Sequence, residues 1–321
     1  MLDINDFAKK QIIVYEPVQG DKMSYKNDNI LITSKDGHIK YQHTCHRIFM
    51  LIVIGDTTIT TGLIRRAKKF GFSICFMTLG LKLYSIIDAK MEGNTLLHRK
   101  QYVYCNKDIA QRLIYNKILN QRTVLQKIRN KTPDISEGIV YLTEYLKRLE
   151  KEDFEGNSLL AIEGNAAKIY FARIFSVVKW KGRKPRIKFD YINSLLDIGY
   201  TLLFNFIDAI LQVYGFDTYQ GVLHTNFYMR KSLVCDLMEP FRVIIDWKIR
   251  KAIRLGQFKE EDFVKVGEQW QLEYKKSSQY SGIFMEELLE YKEEIFFYVR
   301  SYYRCFMKDK EIIDYPIFVY K

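Results

Sequence analysis

Phe49-Met50-Leu51-Ile52-Val53-Ile54 is an unbroken apolar run closed by Gly55-Asp56, and it reads as a strand. The text on both sides is similar. Ile12-Ile13-Val14-Tyr15, Ile30-Leu31-Ile32, His38-Ile39-Lys40-Tyr41 and Ser73-Ile74-Cys75-Phe76-Met77 are further strand-like segments, broken by Asp, Gly and Asn turns. Within them Thr60 to Lys69 reads as a short helix that Thr60 or Thr61 can cap and Gly71 can end. After Met91-Glu92-Gly93-Asn94, a polar linker, the pattern becomes helical, over about 106–130, 136–151, 157–179, 190–214, 232–255 and 283–308. The expected fold class is therefore α+β: a small N-terminal β-rich domain, residues 1–90, followed by a larger all-helical domain, residues 91–321.

A chain of 321 residues, 48% hydrophobic and 15% aromatic, is long and apolar enough for two cores, which excludes disorder and collagen-like repeats. No repeat of solenoid length is found. Fifty Lys and Arg against 38 Asp and Glu leave a net charge of +12, which points to a polyanionic partner. Residues 1–90 carry 13 basic and 8 acidic side chains, net +5, and the remainder 37 and 30, net +7, so both parts can meet that partner.

A membrane is the weaker alternative. Ile48 to Ile54 is too short to span one, and Thr201 to Phe216 is short and carries Asn205 and Asp208. The opening Met1-Leu2-Asp3-Ile4-Asn5-Asp6 has neither a basic nor an apolar targeting region, so a cytoplasmic location is expected. The five cysteines, at 45, 75, 105, 235 and 305, form no CxxC pair and are expected to be reduced core residues.

No Walker A loop, GxGxxG turn, GxSxG elbow or HExxH helix is present. His38, His43 and His46 read as sheet or surface residues. The unusual stretch runs from Gly221-Val222-Leu223-His224 through Ser232 to Arg242. On a helix starting near Ser232, Asp236 and Glu239 are three apart and share a face, and Pro240 should end, kink or restart the helix there. Glu163 stands beside small residues in Ala161-Ile162-Glu163-Gly164-Asn165-Ala166-Ala167. One imidazole with two or three carboxylates suits Mn²⁺ or Mg²⁺. Taken singly, Glu163 also reads as a solvated or capping residue, His224 as a loop histidine, and Asp236 and Glu239 as a charged face paired with Arg242. Lys179-Trp180-Lys181-Gly182-Arg183-Lys184-Pro185-Arg186-Ile187-Lys188 holds six cations in ten residues and suits phosphate tracking. Lys248, Arg250, Lys251 and Arg254 form a second basic face.

Three blocks in order carry a family resemblance: Glu163-Gly164-Asn165-Ala166-Ala167; Asp190-Tyr191-Ile192-Asn193-Ser194-Leu195-Leu196 running to Gly199-Tyr200; and Leu223-His224-Thr225 with Ser232-Leu233 and Asp236-Leu237-Met238-Glu239-Pro240-Phe241-Arg242. Together they resemble the CRISPR-associated integrase family, "Cas one". The likeness extends to the layout of the chain, since that family places a small β domain before a helical catalytic one. The resemblance implies Glu163, His224 and Glu239 as ligands of Mg²⁺ or Mn²⁺, with Asp236 beside the metal or helping to bind DNA. It places Asn193 and Tyr200 near the site, where DNA contact is expected, together with Arg183, Lys184, Arg186, Lys248 and Arg250 from the basic segments. The basic loop departs from the family pattern at Arg186-Ile187-Lys188-Phe189, where a second proline is frequent.

The activity so implied is spacer acquisition, in which the 3′-hydroxyls of a short captured duplex are joined to the ends of a CRISPR repeat by transesterification. A homodimer is implied, two of which flank a small second CRISPR-associated protein. The alternative is a metal-dependent endonuclease for branched or single-stranded DNA, with water as nucleophile; a third reading is a non-catalytic DNA-binding scaffold.

Overall fold

The computed structural model of the chain describes residues 7–79, 81–88, 94–152, 154, 156–178, 180–184, 187–224 and 227–321. The apolar run that opens the sequence reading is strand β5 (Ile48–Ile54), and every residue of it is buried. It lies inside a four-stranded sheet of order β1-β5-β7-β8, with β1 (Gln11–Tyr15) and β7 (Ser73–Met77) parallel to it and β8 (Leu83–Ile87) antiparallel at the edge. The two faces of β5 enter different cores, as the period of two dictates. Leu51 and Val53 pack with Met23, Ile30, Ile32 and Phe72, whereas Met50, Ile52 and Ile54 join the core shared with the helices.

The first of these cores is closed by a second sheet of order β4-β3-β2-β6, formed by β2 (Lys22–Lys26), β3 (Asn29–Thr33), β4 (Ile39–Thr44) and β6 (Thr58–Ile59). Helix α1 (Thr61–Phe70) contributes Leu63 and Ala67 and ends at Gly71, whose φ of 67° supplies the left-handed cap expected there. Across the other face, Phe7 stacks on Phe296 at 4.1 Å between ring centroids and meets Phe49 edge-on at 5.0 Å, which ties the strands to the helices.

The helical region contains α2 (Thr95–Val103), α3 (Asp108–Lys127), α4 (Pro133–Lys151), α5 (Gly156–Ile174), α6 (Tyr191–Val213), α7 (Ser232–Met238), α8 (Arg242–Arg254), α9 (Ser277–Glu290) and α10 (Lys292–Met307). Local sequence explains several starts. Thr132 accepts from the Ile135 amide with Pro133 behind it, and Asp190 accepts from the Asn193 amide at 2.7 Å. Helix α6 is long and apolar enough to cross a membrane, but 83% of its apolar window is buried inside the protein, which makes it the central core helix.

The structure corrects the sequence reading in several places. The region after residue 90 is mostly, not wholly, helical, because β9 (Phe263–Val266) and β10 (Gln269–Leu272) form an antiparallel hairpin. The stretch expected as one helix over 283–308 is two, α9 and α10, meeting at Tyr291. Of the linker, residues 91–93 lie outside the described residues, while Asn94 caps α2 by accepting from the Leu97 amide. Cys45, Cys75 and Cys305 are buried, but Cys105 is exposed and Cys235 half-buried, so only three of the five are core residues.

Gly199 lies where α6 crosses α8 and α9: a Cβ there would stand 2.4 Å from Ile245 Cγ2 and 3.0 Å from Phe284 Cε1. Gly199→Ala should therefore cost about 1–3 kcal/mol by forcing the helices apart. Urea unfolding measures this, and an unchanged midpoint would show that the crossing is not close-packed.

Candidate active site

Three separate parts of the chain deliver the candidate ligands to one cleft of about 1650 Å³, lined by Glu163, His224 and Glu239 among others. Glu163 projects from α5, His224 from the loop before α7, and Glu239 from a 3₁₀ turn, Glu239–Phe241, that joins α7 to α8. As expected from sequence, the helix ends and restarts around Pro240: α7 stops at Met238 and α8 begins at Arg242, with Glu239 itself still at φ −55° and ψ −44° and a 3₁₀ turn between them. The Asn120 side-chain amide holds the Pro240 carbonyl at 3.1 Å. Asn120 and Asn116 together also bond the backbone of Phe318 and Tyr320, packing the segment around those residues beside the turn.

The electrostatics centre on Lys117 of α3. Its ammonium bonds Glu163 and lies 2.7 Å from Glu239 Oε2, without the alignment of a hydrogen bond on the latter side. Arg242 meets the other Glu239 oxygen at 3.0 Å. Burial alone would raise the Glu239 carboxyl, but Arg242 and Lys117 outweigh it and hold the pKa near 2. Burial likewise opposes the charge on Lys117, and Glu239 and Glu163 more than restore it. Among the described residues no three His, Cys, Asp or Glu side chains already surround a common metal position. The two carboxylates are arranged around an ammonium, a geometry the sequence reading did not anticipate. The donor set, two carboxylates and one imidazole with a cation already between the carboxylates, fits a hard-to-borderline metal ion.

Asp236 lies directly against the candidate ligand His224. It is fully buried, and its oxygens are taken: Oδ2 accepts from the amides of Val222 and Leu223 at 2.7 and 3.0 Å, and Oδ1 from the amide and Nδ1 of His224 at 3.0 and 2.6 Å. It therefore fixes the His224 ring through Nδ1 and leaves Nε2 as the ring nitrogen that Asp236 does not engage. Gly221 permits this wrap, since a Cβ would come within 2.7 Å of Asp236 Oδ2.

Several side chains expected at the DNA are buried within the protein. Asn193 is fully buried; its side chain bonds Arg183, the Lys184 amide, the Gly182 carbonyl and Asp190, bracing the basic loop from inside. Tyr200 is buried and donates to Asp246 at 2.5 Å, with Arg242 stacked 4.6 Å from its ring centroid. Lys248 is buried and paired with Glu287 at 3.0 Å, and Arg250 is buried with its guanidinium on the Ile174 carbonyl, so both serve packing. Arg183 does line the cleft, held by Asp197 at 2.7 Å, while the Lys184 ammonium sits 4.0 Å over the Phe189 ring. Arg186 lies outside the described residues. Lys188, from the basic segment, lines the cleft as well, and Lys82, Lys168 and Arg230, which the sequence reading did not single out as phosphate contacts, complete its basic lining.

A cleft lined by cations, two carboxylates and an oriented imidazole, in a helical region behind two small sheets, has the residue types suited to phosphoryl transfer on a polyanion. Comparison with known proteins narrows the class. The profile of the family "CRISPR associated protein Cas1" matches residues 14–285, so the chain belongs to the Cas1 family, a family of CRISPR-associated endonucleases. It is 31% identical over 227 residues to the CRISPR-associated endonuclease Cas1 1 of Thermodesulfovibrio yellowstonii, covering 67% of this chain and 71% of the relative. Its fold matches a chain of a Cas6-RT-Cas1–Cas2 complex with TM-score 0.80 at 20% identity, over 97% of this chain and 36% of that longer one. It also matches a casposase bound to integration product with TM-score 0.77 at 22% identity, over 94% and 92% of the two chains.

Asp246, also on the cleft, carries a testable consequence. Burial pushes its pKa up from 3.8 to about 6, against hydrogen bonds from Tyr200 and Tyr170 and the charge of Arg242. Because the folded state takes up this proton at higher pH than the unfolded chain, the contribution of Asp246 to stability is fully present below about pH 4 and is lost as pH rises through about 6. Relative to Asp246→Asn, the wild type should lose on the order of 3 kcal/mol across that window in urea unfolding. A difference independent of pH would show that Asp246 titrates normally.

Proposed function

We propose that this chain is a metal-dependent DNA integrase of CRISPR adaptation, joining the 3′-hydroxyl ends of a short captured duplex to the ends of a CRISPR repeat. The observation that carries the reading is the delivery of Glu163, Glu239 and His224 to one basic cleft, with His224 already oriented by Asp236. Membership of the Cas1 family and likeness to a casposase bound to integration product support it. In the reaction, the attacking 3′-oxygen bonds to phosphorus as it gives up its proton, and the bond from phosphorus to the neighbouring 3′-oxygen breaks as that oxygen is protonated. One phosphodiester replaces another, so no ATP is required, in keeping with the absence of a Walker loop.

Glu163, Glu239 and His224 Nε2 would hold Mg²⁺ or Mn²⁺, which supplies Lewis-acid charge at the attacked phosphate. Asp236 keeps the imidazole in the tautomer with Nε2 unprotonated, and Arg183, Lys188 and Arg230 bind flanking phosphates along the cleft. In this reading residues 1–90 support dimerisation and DNA, and residues 91–321 carry catalysis. Two homodimers flank a small second CRISPR-associated protein on double-stranded DNA, in the cytoplasm. The name endonuclease given to curated relatives favours a second outcome, hydrolysis of branched or single-stranded DNA at the same residues.

The test is strand transfer of a labelled short duplex into a supercoiled plasmid carrying a leader and repeat, with Mn²⁺ or Mg²⁺ and the small partner protein. Products joined at the repeat ends should be abolished by Glu239→Ala and reduced about 10–100-fold by Asp236→Asn. Metal-dependent nicking without joining would establish the endonuclease reading instead. Unchanged behaviour of Glu239→Ala would leave a scaffold.

A further inference from the structure

We propose that Lys117 is an exchangeable counter-cation of the metal site: its ammonium holds Glu163 and Glu239 together and must leave when a divalent cation enters. The inference rests on the metal-site reading above and adds a residue that reading does not use. Lys117 comes from α3, on the stripe of that helix formed by Leu113, Ile114, Ile118, Gln121 and Val124, all buried. A lysine on such a face is costly unless anions meet it. The anions that do are the two carboxylates read as ligands, Glu163 in direct bond and Glu239 Oε2 at 2.7 Å.

Geometry makes the ammonium and a metal mutually exclusive. A divalent ion takes carboxylate oxygens at about 2.0–2.2 Å, so an ion shared by Glu163 and Glu239 would fall in the space between them where Nζ now sits. Charge agrees with geometry. With Lys117 and Arg242 present, the two carboxylates are already neutralised, so the site has no net charge to attract a further cation. Arg242 grips Glu239 from its other oxygen at 3.0 Å and need not move. Lys117 thus keeps two like charges assembled in a buried site while weakening metal binding. This is a positioning role, with no contact to reacting atoms.

The test is Mn²⁺ titration of the full chain without DNA, followed by isothermal calorimetry and by the electron paramagnetic resonance signal of free Mn²⁺. Lys117→Met, which keeps an unbranched apolar stem one atom shorter and removes the charge, should bind Mn²⁺ at least tenfold more tightly than the wild type. Its melting temperature should be lower without metal and rise further on adding Mn²⁺. Lys117→Arg should keep the weak wild-type affinity. Should Lys117→Met fold only with metal, its Mn²⁺-dependent refolding midpoint gives the affinity. Equal or weaker Mn²⁺ binding by Lys117→Met would overturn the proposal. Glu239→Ala separates the two readings: if it leaves Mn²⁺ binding unchanged, the metal site itself is misassigned, whereas binding that Glu239→Ala abolishes and Lys117→Met fails to tighten refutes only the role of Lys117.

Discussion

Two carboxylates held close together in a buried site repel each other, and the architecture around the cleft answers that constraint. Glu163, Lys117, Glu239 and Arg242 form a row of alternating charge, with Lys117 between the acids and Arg242 closing the far side. Ion pairs of this depth contribute little net stability compared with apolar packing, because each charge gives up its hydration. Removing one member is a different matter, since it strands the others. The row joins α3, α5 and the turn before α8, so it requires those elements to be held in register.

The packing supplies that register. Helix α6 is buried along nearly its whole length, and α8 and α9 close against it at Gly199. Asn120, itself fully buried, links α3 to the Pro240 carbonyl, so the helix that presents Lys117 also fixes the turn that presents Glu239. On the remaining side Asp236 gathers three consecutive backbone amides and the His224 ring, which ties the loop at Val222–His224 to α7. The functional side chains thus sit on different elements, but each is anchored by a buried polar partner.

How much of this was legible in the sequence follows from the range of the interactions. Strand β5 was readable because an unbroken apolar run has few other fates, and α3 to α6 because their periodicity persists over many turns. Strands β2, Lys-Met-Ser-Tyr-Lys, and β8, Leu-Tyr-Ser-Ile-Ile, were not, being short and mixed in polarity, and the β9–β10 hairpin was hidden for the same reason. Glu163, His224 and Glu239 emerged through spacing shared with a family. Lys117 did not, although a signal existed: a cation on the apolar stripe of α3, three residues after Ile114 and four before Gln121. A single lysine in a helix ordinarily means a solvated face, and its partners lie in distant elements. Lys248 and Arg250 show the reverse case, for their side chains turn inward onto Glu287 and the Ile174 carbonyl while Lys251 and Arg254 of the same helix stay exposed.

One measurement bears on the whole argument at once: the anomalous scattering of a crystal of the full chain equilibrated with Mn²⁺. A single strong peak bounded by the carboxylates of Glu163 and Glu239 and by His224 Nε2, with the Lys117 side chain moved away from both acids, is the predicted result. A peak elsewhere, or Glu163 and Glu239 still joined through Lys117 at saturating Mn²⁺, would contradict it.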